Sequence, residues 1–247
     1  MNKLVASTVA LALVTGCGST SSRTGRQELI VSAAASLTDA FAAIEATFEE
    51  RHPDVDVILI FGGSLALREQ ILVGVAVDVF ASANPENMNL VVSAGEIDGT
   101  PETLAFNRLE IAVPIGNPAG VSGPSDFGRS ELFLGLCVAA VPCGAFARET
   151  LAAAGVDPSI DTEEPDVRAL LTKIEAGELD AGIVYATDVE ASGGVEGIAV
   201  DDEFNVSARY VIAPLSRSNE PELARAFVDF TRSTDGRAIL GASGFAP

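Results

Sequence analysis

An α/β architecture, with mainly parallel sheets covered by helices on both faces, follows from three features of the sequence. Strand-like and helix-like segments alternate along the chain in two successive runs. The 247 residues, less a short leader, suffice for one large domain or two lobes. An apolar fraction of 48% is enough to build the core that such sheets need.

The leader comes first. Lys3 supplies a charge, residues 4–14 form an apolar stretch too short to cross a bilayer, and Val14-Thr15-Gly16-Cys17 closes it as a bacterial lipoprotein signal does. Residues 1–16 are therefore expected to be removed and Cys17 lipidated, which places the protein outside the cytoplasm, anchored to the cell membrane. The alternative is an ordinary signal peptide cleaved elsewhere. Residues 17–27, polar and rich in Ser, Thr and Gly, read as a flexible tether.

The first run opens with a strand at 28–33. Ser36 then precedes Leu37, Phe41, Ile44 and Phe48, the apolar stripe of a helix for which Ser36 is the candidate N-cap. Residues 55–61 are a second strand, Gly62-Gly63 a turn, and Ser64 starts a helix through Leu67, Ile71 and Leu72. A buried strand at 77–83 leads through Asn84-Pro85 into a helix carrying Met88 and Val91.

The second run has strands at 109–114, 134–138 and 181–185. Its helices span 144–154, closed by Gly155, and 167–176, closed by Gly177. A last strand at 209–214 leads into a helix that begins with Pro221 and returns to the first lobe. The expected division is 28–107 with 214–247 as lobe 1, and 108–213 as lobe 2.

Composition excludes much chemistry. The net charge is −20, and loss of the leader with its single lysine makes it −21, which argues against nucleic acid and anionic membrane surfaces as partners. The acidic pairs Glu49-Glu50, Glu163-Glu164 and Asp201-Asp202 read as solvated faces. One histidine, His52, is present, and Gly62-Gly63-Ser64-Leu65-Ala66 lacks the last glycine of a hydrolase nucleophile elbow. Zinc would need clustered Cys and His, and no P-loop or dinucleotide fingerprint occurs. Hence no catalysis, no cofactor and no bound metal cation are expected. A hydrolase built on Ser64 and His52, and a ligand-free scaffolding lipoprotein, are the competing classes.

Cys137 and Cys143 stand six positions apart in a chain destined for an oxidising compartment, and they are predicted to be bonded, the alternative being two buried free thiols. What remains is a set of helix starts at Ser36, Ser64, Cys143-Gly144 and Val167. Each offers unpaired N–H groups and partial positive charge to an anion, although capping alone explains either serine singly.

Six segments taken together carry a resemblance. They are Ala33-Ala34-Ala35-Ser36-Leu37-Thr38-Asp39-Ala40, Phe61-Gly62-Gly63-Ser64 with Gln70-Ile71, and Asp78-Val79-Phe80-Ala81-Ser82-Ala83. Then come Val141-Pro142-Cys143-Gly144, Pro165-Asp166-Val167-Arg168 and Gly182-Ile183-Val184-Tyr185-Ala186-Thr187-Asp188. In this order they resemble the periplasmic molybdate-binding proteins of ABC transporters over nearly all of the mature chain. The resemblance implies the two-lobed type II periplasmic-binding-protein fold, with the ligand in the cleft between lobes. It implies a tetrahedral oxyanion held by main-chain N–H groups and hydroxyls, without a positively charged side chain. Carried to this chain, the donors are the hydroxyl and N–H of Ser36 and Ser64, the N–H of Cys143 and Val167, and the phenol of Tyr185. Cys143 stands where the family usually has a small residue such as alanine, and Gly62-Gly63 departs from its serine-rich run. The implied function is capture of molybdate, with tungstate, and delivery to an ABC permease, by a monomer. A receptor for sulfate or another tetrahedral oxyanion is the alternative. Independently, Tyr185 is one of two tyrosines and ends an apolar strand where a ligand at a sheet edge would meet it.

Overall fold

A computed structural model describes residues 25–247; the leader and Cys17 lie outside the described residues. The first strand, β1 (Gln27–Ala34), passes through a 3-10 turn at Ala35–Leu37 into α1 (Thr38–Arg51), then β2 (Val55–Gly62), α2 (Ser64–Leu72), β3 (Val79–Ser82) and α3 (Pro85–Ser93). A strand that the sequence does not reveal follows, β4 (Glu102–Asn107), and then the expected β5 (Leu109–Pro114). Next come β6 (Leu134–Cys137), α4 (Pro142–Ala153), β7 (Thr162–Glu164), α5 (Val167–Glu175), β8 (Ala181–Tyr185), α6 (Ala186–Ala191) and β9 (Val195–Ala199). The chain ends with β10 (Ala208–Pro214), α7 (Pro221–Arg232) and α8 (Thr234–Ala242).

Two five-stranded sheets result, ordered β2-β1-β3-β10-β4 and β7-β6-β8-β5-β9. Both are mixed rather than mainly parallel. In the first, β1 runs parallel to β2 and β3, while β10 is antiparallel to β3 and β4. In the second, β6 is parallel to β7 and β8, while β5 is antiparallel to β8 and β9. The reversed strand in each sheet is the one that enters from the other lobe. The expected lobe boundary at 213/214 also shifts, because β10 pairs along its length with β3 and β4 of the first sheet. The second lobe thus runs from 108 to 207.

The α1 stripe is buried as its spacing requires: Leu37, Phe41, Ile44 and Phe48 are all inaccessible, and Phe48 meets Phe227 of α7 edge-on at 5.2 Å. In the second lobe, α5 lies tight on its sheet because Gly182 of β8 has no side chain. A Cβ there would sit 2.8 Å from Ile174 Cδ1. That close seat determines where the start of α5, and so Val167, comes to rest.

The chain crosses between sheets at 107–109 and again at 199–208. Asn205 joins the two crossings, accepting from the Leu109 N–H and donating to the Leu109 carbonyl, both at 2.9 Å. Asn107 donates to Thr187 Oγ1 at 2.8 Å beside them.

Candidate functional site

Register brings the two serines together. In β1 and β2, Ala34 is paired with Gly62, so Ser36 and Ser64, each two residues further on, leave the same edge of the sheet side by side. The second sheet repeats the arrangement: Cys137 of β6 pairs with Glu164 of β7, and their strand ends lead to the starts of α4 and α5. The two edges face each other. Ser36, Ser64, Cys143, Val167 and Tyr185, all five residues singled out from the sequence, line one small cavity together with Gly63 and Asp166. The space there open to the centre of a water-sized sphere is about 20 Å³, against roughly 10–15 Å³ for a single water on that measure. The cavity suits one small guest.

Its lining donates. The first intrahelical hydrogen bonds run from Leu67 N–H to Gly63 in α2, Ala145 N–H to Val141 in α4, and Leu170 N–H to Asp166 in α5. The N–H groups of Ser64, Cys143 and Val167 precede those bonds and have no acceptor within their helices. In α5 the Asp166 side chain caps the next two, accepting from Arg168 N–H at 2.9 Å and Ala169 N–H at 3.0 Å, which leaves the Val167 N–H for the cavity.

The hydroxyls are aimed by neighbours. Ser64 Oγ accepts from the Ala83 N–H at 3.1 Å, so its own proton is available elsewhere. Ser36 is not the N-cap expected of it: Leu37 stands at that position without a side-chain cap. A 3-10 turn intervenes, and the Ser36 hydroxyl instead lies 2.7 Å from the Tyr210 hydroxyl. Tyr210, on β10, was missed from sequence because an aromatic in an apolar strand reads as core. Its place beside Ser36, distant in the chain, is what brings it to the site.

Tyr185 is 1% exposed and its hydroxyl has no hydrogen-bond partner among the described residues. Burial, above all, pushes its phenol well above the ordinary range, so it stays protonated and can donate. An orphaned buried donor costs about 1–3 kcal/mol, which an acceptor in the cavity would relieve. Behind it sits Asp188, fully buried, whose Oδ2 accepts from the Tyr185 N–H at 3.3 Å. Burial pushes the Asp188 carboxyl up to about 7, against the opposing pull of the Arg168 guanidinium and that N–H.

Among the described residues, no lysine, arginine or histidine lines the cavity. Arg168 stands just outside it, its Nε 3.3 Å from Asp188 Oδ1 and its Nη2 on Asp39 of α1. Cys137 and Cys143 are disulfide-bonded, Cα to Cα 5.8 Å, which ties the end of β6 to the first turn of α4. Among the described residues no cluster of His, Cys, Asp or Glu could hold a metal ion. His52 is engaged away from the cavity, stacked on Phe48 at 4.1 Å with Nδ1 donating to the Phe48 carbonyl.

Two lobes joined by two crossings, with a small donor-rich cavity between their sheet edges, define a binding protein for a small anionic solute. The chain belongs to the bacterial extracellular solute-binding protein family, whose model matches residues 29–246. It is 36% identical to the molybdate-binding protein ModA of Mycobacterium tuberculosis, over 97% of this chain and 95% of that one. It is 29% identical to a putative ABC transporter substrate-binding lipoprotein, YvgL, of Bacillus subtilis, over 98% and 96%. Among solved structures, the periplasmic molybdate-binding protein of Azotobacter vinelandii shares the fold at a TM-score of 0.76 and 17% identity, covering 89% of this chain and 99% of that one. The sulfate-binding protein SubI of Mycobacterium tuberculosis shares it at 0.79 and 16%, covering 90% and 87%.

Proposed function

We propose that this protein binds molybdate, and tungstate with it, between its lobes and delivers it to an ABC permease. Ser36, Ser64, Cys143, Val167 and Tyr185 are the ligand-binding residues. The observation that carries this reading is the cavity's donor set, the buried, unpartnered Tyr185 hydroxyl among them. A lining rich in donors favours an oxyanion with no proton of its own, since such a proton would need an acceptor. Phosphate is thereby disfavoured. The single lining carboxylate, Asp166, is engaged in capping α5. Helix-end N–H groups act at hydrogen-bond range, whereas the remote charges behind a net −20 are screened over about 8 Å at physiological salt. The names of the relatives, ModA above all, support molybdate as the guest.

The protein acts as a receptor without a cofactor and without catalysis. Its one histidine is stacked on Phe48, so Ser64 has no histidine to act as its base. Hinge bending at 107–109 and 199–208 opens and closes the cleft. A lipid on Cys17 holds the monomer at the membrane, a reading that the lipoprotein description of YvgL supports. Fatty-acid labelling that persists in Cys17→Ser would remove the anchor.

Isothermal titration with molybdate, tungstate, sulfate and phosphate tests the ligand. Tight binding of the first two and none of phosphate is expected. Sulfate is also fully ionised, so it is the competing guest, and selective binding of sulfate would overturn the molybdate assignment.

A further inference from the structure

Residues 165–168 carry the second lobe's grip on the first. The Pro165 carbonyl oxygen lies against Gly63, so close that a Cβ on Gly63 would be 2.7 Å from it. Val167 lines the cavity, and Arg168 reaches past it to Asp39 in the first turn of α1. Among the ion pairs of the described residues, that between Arg168 and Asp39 is the one that joins the two lobes. The other face of the same guanidinium meets Asp188, which in turn accepts from the Tyr185 N–H. A planar fork suits two carboxylates at once, as a lysine would not.

We propose that Arg168 is a latch between the lobes: it pairs with Asp39 only when the cleft is shut, and so sets how long the guest stays without touching it. The proposal rests on the binding function above. A guest held between the lobes is released as they part, and parting must separate Asp39 from Arg168. Arg168 keeps Asp188 within its own lobe in either state, so the lobe does not depend on the latch for its fold. The latch adds to the opening barrier and leaves the encounter of guest with open cleft unaffected. It therefore acts on the dissociation rate. The Asp39 and Arg168 side chains are 54% and 29% exposed, so the pair is weakened by salt and its effect is moderate, about two- to fivefold.

The test is displacement of bound molybdate by excess tungstate, followed in stopped flow for wild type, Asp39→Asn and Asp39→Glu. Asp39→Asn is expected to release molybdate about two- to fivefold faster with an unchanged association rate, and to lose the wild type's acceleration by salt. Asp39→Glu should restore both. A residue that merely supported the fold would not split the two rates or remove their salt response. Release from Asp39→Asn at the wild-type rate and with the wild-type salt response would overturn the latch.

A second measurement needs no guest. Spin labels on cysteines replacing Val73 and Phe133, exposed on the first and second lobes, report the spacing of the lobes in a Cys17→Ser background. The shorter distance should lose population in Asp39→Asn, and an identical distribution would equally refute the latch. If wild type binds no molybdate, the assignment of function fails, and this distance comparison still decides the latch.

Discussion

Tyr210 and Ser36 share a 2.7 Å hydrogen bond between their hydroxyls at the wall of the cavity. Either hydroxyl can donate in this pair; with Tyr210 donating to Ser36 Oγ, the Ser36 proton is free to turn to the guest.

Tyr210→Phe should therefore weaken molybdate binding although Tyr210 does not line the cavity. Loss of one orienting bond is worth about 1–2 kcal/mol, or roughly five- to thirtyfold in Kd. Titration calorimetry measures it. An unchanged Kd would mean that Ser36 does not need an aimed hydroxyl.

Ser64→Ala and Tyr185→Phe should each weaken binding by about 1–3 kcal/mol, yet move the melting temperature of the ligand-free protein in opposite directions. Alanine at 64 strands the Ala83 N–H, which now donates to Ser64 Oγ, and lowers it. Phenylalanine at 185 removes a buried donor that has no protein partner, and leaves it unchanged or higher. Unaltered affinity in both would show that the guest binds elsewhere.

Gly63→Ala tests the closing of the cleft. Its φ of −61° and ψ of 134° suit any residue, so the lobe itself is not strained. The added Cβ would meet the Pro165 carbonyl of the other lobe at 2.7 Å, and closure must stop short or distort. A loss of about 1–3 kcal/mol in affinity with an unchanged ligand-free melting temperature is expected. Equal loss in both quantities would assign the clash to the lobe rather than the cleft.

The helices of the site and its longer parallel strands were legible because each writes its own local pattern. Ser64 follows a Gly-Gly turn, Gly155 and Gly177 close α4 and α5 with φ of +71° and +70°, and Leu37, Phe41, Ile44 and Phe48 mark α1. What local pattern does not write is pairing direction. Strands β5 and β10 look like any buried strand, and their reversal arises only from the lobe crossings. Strand β9, with Gly197 amid exposed residues, and β7, three residues long, have too little alternation to be read. The same holds for side-chain partners. Tyr210 stands 174 residues from Ser36 and Arg168 stands 129 from Asp39, so neither relation is visible before the fold brings them together.

Asp188 should make stability depend on pH in a direction opposite to that of a paired surface carboxylate. Its carboxyl sits at about 7 in the folded chain, raised from an ordinary 3.8 chiefly by burial. Below 3.8 it is protonated in both states and makes no difference. Between 3.8 and 7 the unfolded chain releases a proton that the folded chain keeps, so rising pH favours unfolding. Above 7 the penalty is complete, with an upper limit of about 4 kcal/mol. Asparagine at 188 cannot ionise and still offers an oxygen to the Tyr185 N–H, now 3.3 Å from Asp188 Oδ2. The melting temperature of Asp188→Asn minus that of wild type is thus expected to rise from pH 5 to pH 8. A difference that is flat, or that falls over this range, would mean that Arg168 holds Asp188 ionised throughout and that burial does not dominate.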